Sequence, residues 1–230
     1  MNDTLFQIAA LVIPLIIAIV FHEVAHGWTA RALGDPTAAQ LGRLTLNPIK
    51  HVDPFGTIIL PGMLKLAGLP VFGWAKPVPV VKGRLRNPRR DMMIVAAAGP
   101  GSNLIMALIG AVALGILMRA YTGAGDPSLG VSFLAANLFN FILLNIFLAL
   151  FNLLPIPPFD GGHIVEGLLP PQAARKYAAM HGKALLILIL LLVVLPWIAP
   201  SLNVVKWLVL PPVEWLTDHY LAVAKLVAGN

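Results

Sequence analysis

The sequence predicts an all-α polytopic membrane protein with about five to six transmembrane helices and a re-entrant or β-hairpin element on the cytoplasmic side. Of its 230 residues, 58% are hydrophobic and 11% are charged, and the mean hydropathy is +0.84. Soluble domains carry roughly a quarter charged residues, so the composition excludes a soluble globular class. The length suits one integral membrane domain over residues 1–230, with a core over about 5–170 and C-terminal helices over about 184–230.

The first predicted span runs from about Leu5 to Leu33 and ends at the helix stop that Gly34, Asp35 and Pro36 form. No Lys or Arg precedes this span, whereas basic residues follow it closely at positions 31, 43 and 50. Positive charge concentrates in cytoplasmic loops. We therefore expect the N-terminus outside and the C-terminal end of this span toward the cytoplasm.

The next two segments are predicted to be irregular. Residues 36–57 read as a surface loop with short strands, and residues 55–74 are apolar but interrupted by Pro and Gly. The uninterrupted pieces are too short to cross about 30 Å of hydrocarbon as a helix. We interpret 55–74 as a re-entrant hairpin that dips in from the cytoplasmic side and lines a wet cavity; a kinked extra span is the alternative.

A basic cluster over residues 76–90 is the strongest cytoplasmic marker in the chain. Its members are Lys76, Lys82, Arg84, Arg86, Arg89 and Arg90. The cluster lacks the interleaved aromatic residues of nucleic-acid binding surfaces. We therefore assign the net charge of +6 to cytoplasmic loops and anionic lipid headgroups rather than to a nucleic-acid partner.

Two further spans are predicted over about 92–120 and 131–154, joined by an external loop over 121–130. An amphipathic surface segment over 164–183 and a fourth span over about 184–197 follow. The tail from Val204 is interrupted by charges and prolines. It is predicted to be a fifth span, an interfacial helix, or both in succession.

The motif His22-Glu23-Val24-Ala25-His26 lies near the end of the first span. Residues four apart share one face of a helix, so both imidazoles can bind one zinc ion. Glu23 can take the proton of a water molecule activated by that ion. Ionisable residues inside an apolar span are functional candidates by default.

A third ligand must come from His, Asp or Glu, because the chain has no cysteine. The soluble HExxHxxGxxH pattern fails, since Thr29 and Ala32 occupy its later positions. Asp160 is the preferred candidate, because prolines end the third span just before it and two glycines allow a tight turn back toward the membrane. Asp53 is the weaker alternative.

Other polar residues are assigned lesser roles. His51 and His163 are interpreted as hydrogen-bonded loop histidines, and His181 and His219 as surface residues. Asn103, among the small residues that open the second span, is either interhelical glue or a polar group aimed at the site.

Together these residues resemble the site-2 protease family of intramembrane zinc metalloproteases, of the compact bacterial type without a PDZ domain. The resemblance covers about residues 10–170. It rests on HEVAH, on AAAGPGSN, on NLLPIPPFDGG, and on the GWAKPVPV segment between the first two. It implies His22, His26 and Asp160 as the zinc ligands and Glu23 as the general base. It also implies that Asn152 holds the substrate backbone or the developing oxyanion.

The resemblance further implies a multi-pass protein of a prokaryotic inner membrane, with its active site toward the cytoplasm. Its expected partner is a transmembrane-helix protein that it cleaves within or near the membrane, and one zinc ion is the expected cofactor. The alternative is a non-proteolytic membrane zinc-binding protein, either a transporter or a scaffold. A transporter needs a second set of polar residues, and Gln7 and Asn137 are poor zinc ligands.

Overall fold

The structure, a computed structural model, describes residues 3–66, 68, 73–121 and 127–229, and this part of the chain is helical without β-strands. Its α-helices are α1 (Asp3–Ala32), α2 (Thr37–Gln40), α3 (Leu60–Leu66), α4 (Pro88–Ala120), α5 (Leu129–Asn152), α6 (Asp160–Leu168), α7 (Pro171–Ala178), α8 (Ala184–Ile189), α9 (Leu195–Ile198) and α10 (Leu210–Ala228). Shorter 3₁₀ turns cover Pro48–His51, Lys82–Arg84, Ala179–Lys183 and Pro200–Leu202, and π-helical turns cover Pro54–Ile59, Leu190–Val194 and Val205–Val209.

Within the described residues, four helical stretches are long and apolar enough to cross a membrane: Thr4–Ala32, Pro88–Ala120, Leu129–Asn152 and Pro171–Ile198. The protein is therefore an integral membrane protein, as predicted. The fourth stretch extends before residue 184, to Pro171. The amphipathic segment before residue 184 continues as helix directly into the apolar run through the turn Ala179–Lys183.

Helices α1, α4 and α5 form the centre of the bundle. Hydrogen bonds join His22 of α1 to Asn103 of α4, and Asn103 to Asn145 of α5. The side chain of Asn140 donates to the carbonyl oxygen of Ala10, at 2.8 Å. These pairs make α1 and α5 parallel to each other and antiparallel to α4. Buried amides that bond across helices are a common means of association in lipid.

Helix α10 packs against α4 and α5 and runs parallel to α4. The hydroxyl of Tyr220 donates to the carbonyl oxygen of Leu104 at 3.2 Å, and a Cβ on Gly115 would collide with the carbonyl oxygen of Ala224. Positions later in α10 therefore meet positions later in α4. The interrupted tail is thus a packed helix, with Val213 and Ala224 buried in the main hydrophobic cluster.

The strands predicted within 36–57 are wrong, because that region forms the helical turns Thr37–Gln40 and Pro48–His51. Asn47 caps the second turn by accepting from the backbone N–H of Ile49. Asp53 likewise caps the following turn, Pro54–Ile59, by accepting from the backbone N–H of Gly56. Proline is the first residue of both of these capped turns. An Asn or Asp cap followed by Pro is a helix-start signal that favours these turns over strands.

The predicted β-hairpin over 55–74 is not confirmed. Its described first half, up to residue 66, is helical, while residues 67 and 69–72 lie outside the described residues. Residues 73–81 form neither helix nor strand, and Pro77 and Pro79 favour an extended backbone at the residues before them. In the predicted external loop, residues 122–126 also lie outside the described part.

Candidate metal centre

The two histidines of HExxH lie on one face of α1, well inside the membrane-spanning length of the helix. His22 precedes the end of α1 at Ala32 by ten residues, which is about 15 Å along the axis at 1.5 Å per residue. The side chain of His22 is 10% exposed and that of His26 is 12% exposed. Both imidazoles are therefore held largely away from solvent.

Asp160, the first residue of α6, brings its carboxylate to both imidazoles. The Nε2 atoms of His22 and His26 lie 3.0 Å apart, and each lies close to a different carboxylate oxygen of Asp160, at 3.2 and 3.4 Å. Tetrahedral zinc with bonds of about 2.0–2.1 Å has ligand–ligand separations of about 3.4 Å. The three groups have the spacing of a zinc ligand set.

The hydrogen bonds of the two imidazoles fix which nitrogen carries the proton. The Nδ1 atom of His22 donates to the Oδ1 atom of Asn103 at 2.6 Å, and that of His26 donates to the carbonyl oxygen of Val95 at 2.7 Å. In the neutral imidazoles, both Nε2 atoms are therefore acceptors that face each other and a carboxylate. A cation, either a proton or a metal ion, can bind between them. A histidine that binds metal through one nitrogen usually donates a hydrogen bond through the other, so the residues fit zinc.

Asn103 is fully buried and connects three helices behind His22. Its amide nitrogen donates to the carbonyl oxygen of Ala18 and to the Oδ1 atom of Asn145, at 3.2 and 2.8 Å. Asn103 therefore joins three helices and also contacts His22. Its contacts are with His22 and the helices rather than with a cavity.

Gly99 explains why the second span opens on small residues. A Cβ at this position would lie 2.5 Å from the His26 ring and 2.6 Å from the His22 ring. Any side chain would displace the ligands, so helix α4 can approach α1 only through glycine. By contrast, a Cβ on Gly101 would meet nothing within 4 Å.

Glu23 is held by a segment that crosses next to the motif. Its Oε2 atom accepts from the backbone N–H of Val78, at 2.7 Å, within the extended stretch 73–81. The same stretch is anchored beyond this point, where the N–H of Val81 donates to Asp35 at 2.6 Å. The backbone of Val78 thus holds in place the carboxylate that adjoins His22 in the motif.

The remaining sequence candidates make other hydrogen bonds. Asp53 caps the turn that begins at Pro54, and Asn152 donates to the carbonyl oxygen of Leu148 at 2.9 Å. His51 bonds to the carbonyl oxygen of Thr45, as expected of a loop histidine, and His219 is exposed. His163 and His181 instead meet at Glu166.

Sequence reasoning did not find four residues that shape the centre: Val78, Val95, Gly99 and Asn145. Val78 and Val95 act through backbone groups, which leave no side-chain signal. Gly99 lies in a stretch of small residues that indicated close packing, and Asn145 is one of several asparagines in an apolar span.

The family model described as peptidase family M50 matches residues 10–135 and 130–194. YwhC of Bacillus subtilis, whose name classes it with zinc metalloproteases, is 44% identical over 190 residues, covering 80% of each chain. Rip2 of Mycobacterium tuberculosis, classed likewise, is 32% identical over 226 residues, covering 94% of this chain and 77% of Rip2. Zinc metalloprotease MJ0392 of Methanocaldococcus jannaschii is 26% identical over 213 residues, covering 91% of this chain and 48% of that protein.

No solved structure shows a significant match to the chain. The family match nevertheless spans most of the sequence, including α1 with its HExxH motif and the turn that carries Asp160. The apolar helices agree with it, and so does a buried donor set that fits zinc. The chain belongs to peptidase family M50, the site-2 proteases, and is an intramembrane zinc metalloprotease.

Proposed function

We propose that this protease cleaves transmembrane segments of other membrane proteins, in regulated intramembrane proteolysis, with His22, His26 and Asp160 as zinc ligands and Glu23 as general base. One observation carries the proposal: three groups that can bind one metal ion converge inside the bundle, beside a carboxylate that the backbone of Val78 holds in place. A site at this depth reaches peptide bonds that a soluble protease cannot reach.

When bound, zinc supplies a Lewis acid that polarises a carbonyl oxygen and lowers the pKa of water. Glu23 accepts a proton from the attacking water while the oxygen of that water bonds to the carbonyl carbon of the peptide. Glu23 then delivers that proton to the nitrogen of the leaving amine as the carbon–nitrogen bond breaks. Asn103 and the carbonyl oxygen of Val95 hold the two imidazoles in the required tautomer.

Asn152 is assigned to the substrate backbone or the developing oxyanion. It ends α5, and the turn that follows leads into Asp160. One hydrogen of its amide nitrogen bonds to the carbonyl oxygen of Leu148. An amide carries a second hydrogen, which can donate to a substrate.

An apolar groove beside the motif supports a membrane-embedded substrate. It has a volume of about 500 Å³ and lies along α1, opposite the loop around Leu44. Its lining residues are Phe21, Val24, Ala25, Trp28, Leu44, Thr45, Leu46 and Ser102. A transmembrane helix that unwinds here would place apolar side chains in the groove.

We place the active site toward the cytoplasm of a prokaryotic inner membrane, with the N-terminus outside. The connection from α1 to α4 holds the basic cluster, whose charges favour the cytoplasmic leaflet and its anionic headgroups. Helix α10 adds a fifth membrane-embedded helix to the four apolar stretches. Because α10 is parallel to α4, the chain between α6 and α10 begins and ends on the same side of the membrane.

Cleavage of a single-span reporter protein by purified, zinc-loaded enzyme tests the proposal. Glu23→Gln should lower the cleavage rate about 10²- to 10⁴-fold, because the amide cannot accept the proton. The zinc content should stay unchanged. Asp53→Asn is the matched control and should cleave at the wild-type rate.

Unchanged cleavage by Glu23→Gln would overturn the assigned base. Zinc-loaded wild type that cleaves no single-span reporter in detergent or in liposomes would instead favour the transporter or scaffold alternative.

A further inference from the structure

A second cluster of histidine and carboxylate side chains lies further along α6, outside the catalytic donor set. It consists of His163, Glu166 and His181, each offering one donor atom, and these atoms lie within 4.8 Å of one another. His163 and Glu166 belong to α6, whereas His181 belongs to the turn Ala179–Lys183. The cluster therefore joins the helix that carries Asp160 to the segment that leads into the fourth apolar stretch.

The donor atoms of this cluster converge on one oxygen of Glu166. Its Oε2 atom lies 3.3 Å from the Nε2 atom of His181 and 3.9 Å from the Nδ1 atom of His163. Both of these nitrogens are buried and have no hydrogen-bond partner. The two rings stack with centroids 4.6 Å apart, so both present an edge to the same carboxylate.

The other oxygen of Glu166 is already occupied. Lys82 contacts Oε1 at 2.5 Å, which leaves Oε2 as the free oxygen that faces the imidazoles. An ordinary ion-pair network would place two protonated imidazoles against a carboxylate that Lys82 already neutralises. A divalent ion held by two neutral imidazoles and Oε2 satisfies all three groups at once.

We propose that His163, Glu166 and His181 bind a second divalent transition-metal ion, with zinc as the matching metal, separate from the catalytic ion. Two nitrogen donors and one carboxylate oxygen match the preferences of Zn²⁺. The two imidazole-to-carboxylate separations, 3.3 and 3.9 Å, compare with 3.2 and 3.4 Å in the catalytic set, and all three donor atoms lie within 4.8 Å of one another.

The protonation states at neutral pH suit metal binding. Burial, together with the neighbouring His181, lowers the pKa of His163 below its ordinary value. Burial by itself would raise the pKa of Glu166, but the bond from Lys82 holds it below its ordinary value. A neutral imidazole and an ionised carboxylate are the forms that bind metal.

The donor set of the second ion shares no residue with the catalytic set of His22, His26 and Asp160. His163 and Glu166 follow Asp160 by three and six residues on α6, which places their backbone about 4.5 and 9 Å further along the axis. A bound ion there cross-links α6 to the turn Ala179–Lys183. The fourth apolar stretch would then be fastened to the catalytic helix at its start.

Zinc content per chain tests this inference on the full-length protein in detergent. The protein is equilibrated with buffered micromolar free zinc, washed, and measured by elemental mass spectrometry. Wild type should hold two zinc ions. His181→Gln and Glu166→Gln should each hold one, as should Asp160→Ala, which empties the catalytic site only. His219→Gln, an exposed histidine on α10, is the matched control and should hold two.

A single zinc ion in wild type that His181→Gln and Glu166→Gln both retain would overturn the second site. In that result the variants bind as much zinc as wild type, so a loss of zinc through misfolding cannot explain it. The combined variant Asp160→Ala with His181→Gln should hold none. If it still held one ion, the second ion would not be bound by His181, and the inference would fall.

Discussion

Helix α4 and the apolar stretch Pro171–Ile198 differ in a way that hydropathy does not predict. The most apolar 18 residues of α4 have a mean hydropathy of 2.0, below the 2.4 of the most apolar 18 residues of Pro171–Ile198. Yet 33% of these residues in α4 are buried, against 0% in Pro171–Ile198. Most of the buried residues of α4 are Ala, Gly or Asn, which allow close backbone approach and cross-helix hydrogen bonds. In this bundle, hydrophobicity places helices in the membrane, while small and polar residues position the site.

The largest effect that sharpens this comparison is expected at Gly99. Gly99→Ala puts a methyl group 2.5 Å from the His26 ring, so the ligand set must open. We expect the loss of one zinc ion per chain and of all cleavage. Gly101→Ala meets open space and should retain both, with up to about 1 kcal/mol gained from helix propensity. Equal zinc contents in the two variants would refute the role of close approach.

A smaller effect is expected at the amide behind His22. Asn103→Leu removes the acceptor that orients the imidazole, and such partners typically contribute about 10- to 100-fold in metal affinity or activity. Competition with a zinc chelator measures this change. Asn137→Leu is the control, because that amide bonds only to its own helix at Phe133. Similar affinities in both variants would reduce Asn103 to a packing role.

The anchor of the extended stretch gives a prediction about acid stability. Burial alone would raise the pKa of Asp35, but bonds from Thr37 and Val81, together with Arg84, hold it below its ordinary value. Because its pKa is lowered in the folded protein, Asp35 stabilises the fold at pH values above the ordinary pKa of an aspartate. This contribution is lost as the pH falls through the lowered pKa.

Asp35→Asn should therefore cost about 1–3 kcal/mol at neutral pH, because the buried Asp35 side chain loses its charge and the N–H of Val81 loses a carboxylate acceptor. The difference from wild type should shrink in acid. Unfolding midpoints across pH measure both effects, with exposed Asp218→Asn as the control. A pH-independent difference would argue against the anchor.

The smallest effect is expected on the fourth apolar stretch. Leu186 is 65% exposed, so Leu186→Ala should shift the unfolding midpoint little. Ile146, on α5, is fully buried, and Ile146→Ala should cost about 2–5 kcal/mol. A large loss at Leu186 would show that Pro171–Ile198 is packed against a partner in the measured state.

The sequence was sufficient for the features that local rules govern. Three spans, the shared helical face of His22 and His26, and the turn before Asp160 follow from apolar run length, helical spacing and proline stops. The contact of Val78 with Glu23 and the meeting of His163 with His181 could not be predicted, because they depend on how distant segments pack. The helical turns after Asn47 and Asp53 could have been predicted, since a cap residue followed by Pro marks each start.

The most direct test of the account is the zinc content of Asp160→Ala beside Asp53→Ala, each compared with wild type under the same conditions. The account predicts that Asp160→Ala holds one zinc ion fewer per chain, because the third ligand is removed, and that Asp53→Ala holds as much as wild type. A zinc content that falls with Asp53→Ala and not with Asp160→Ala would contradict the three-ligand centre.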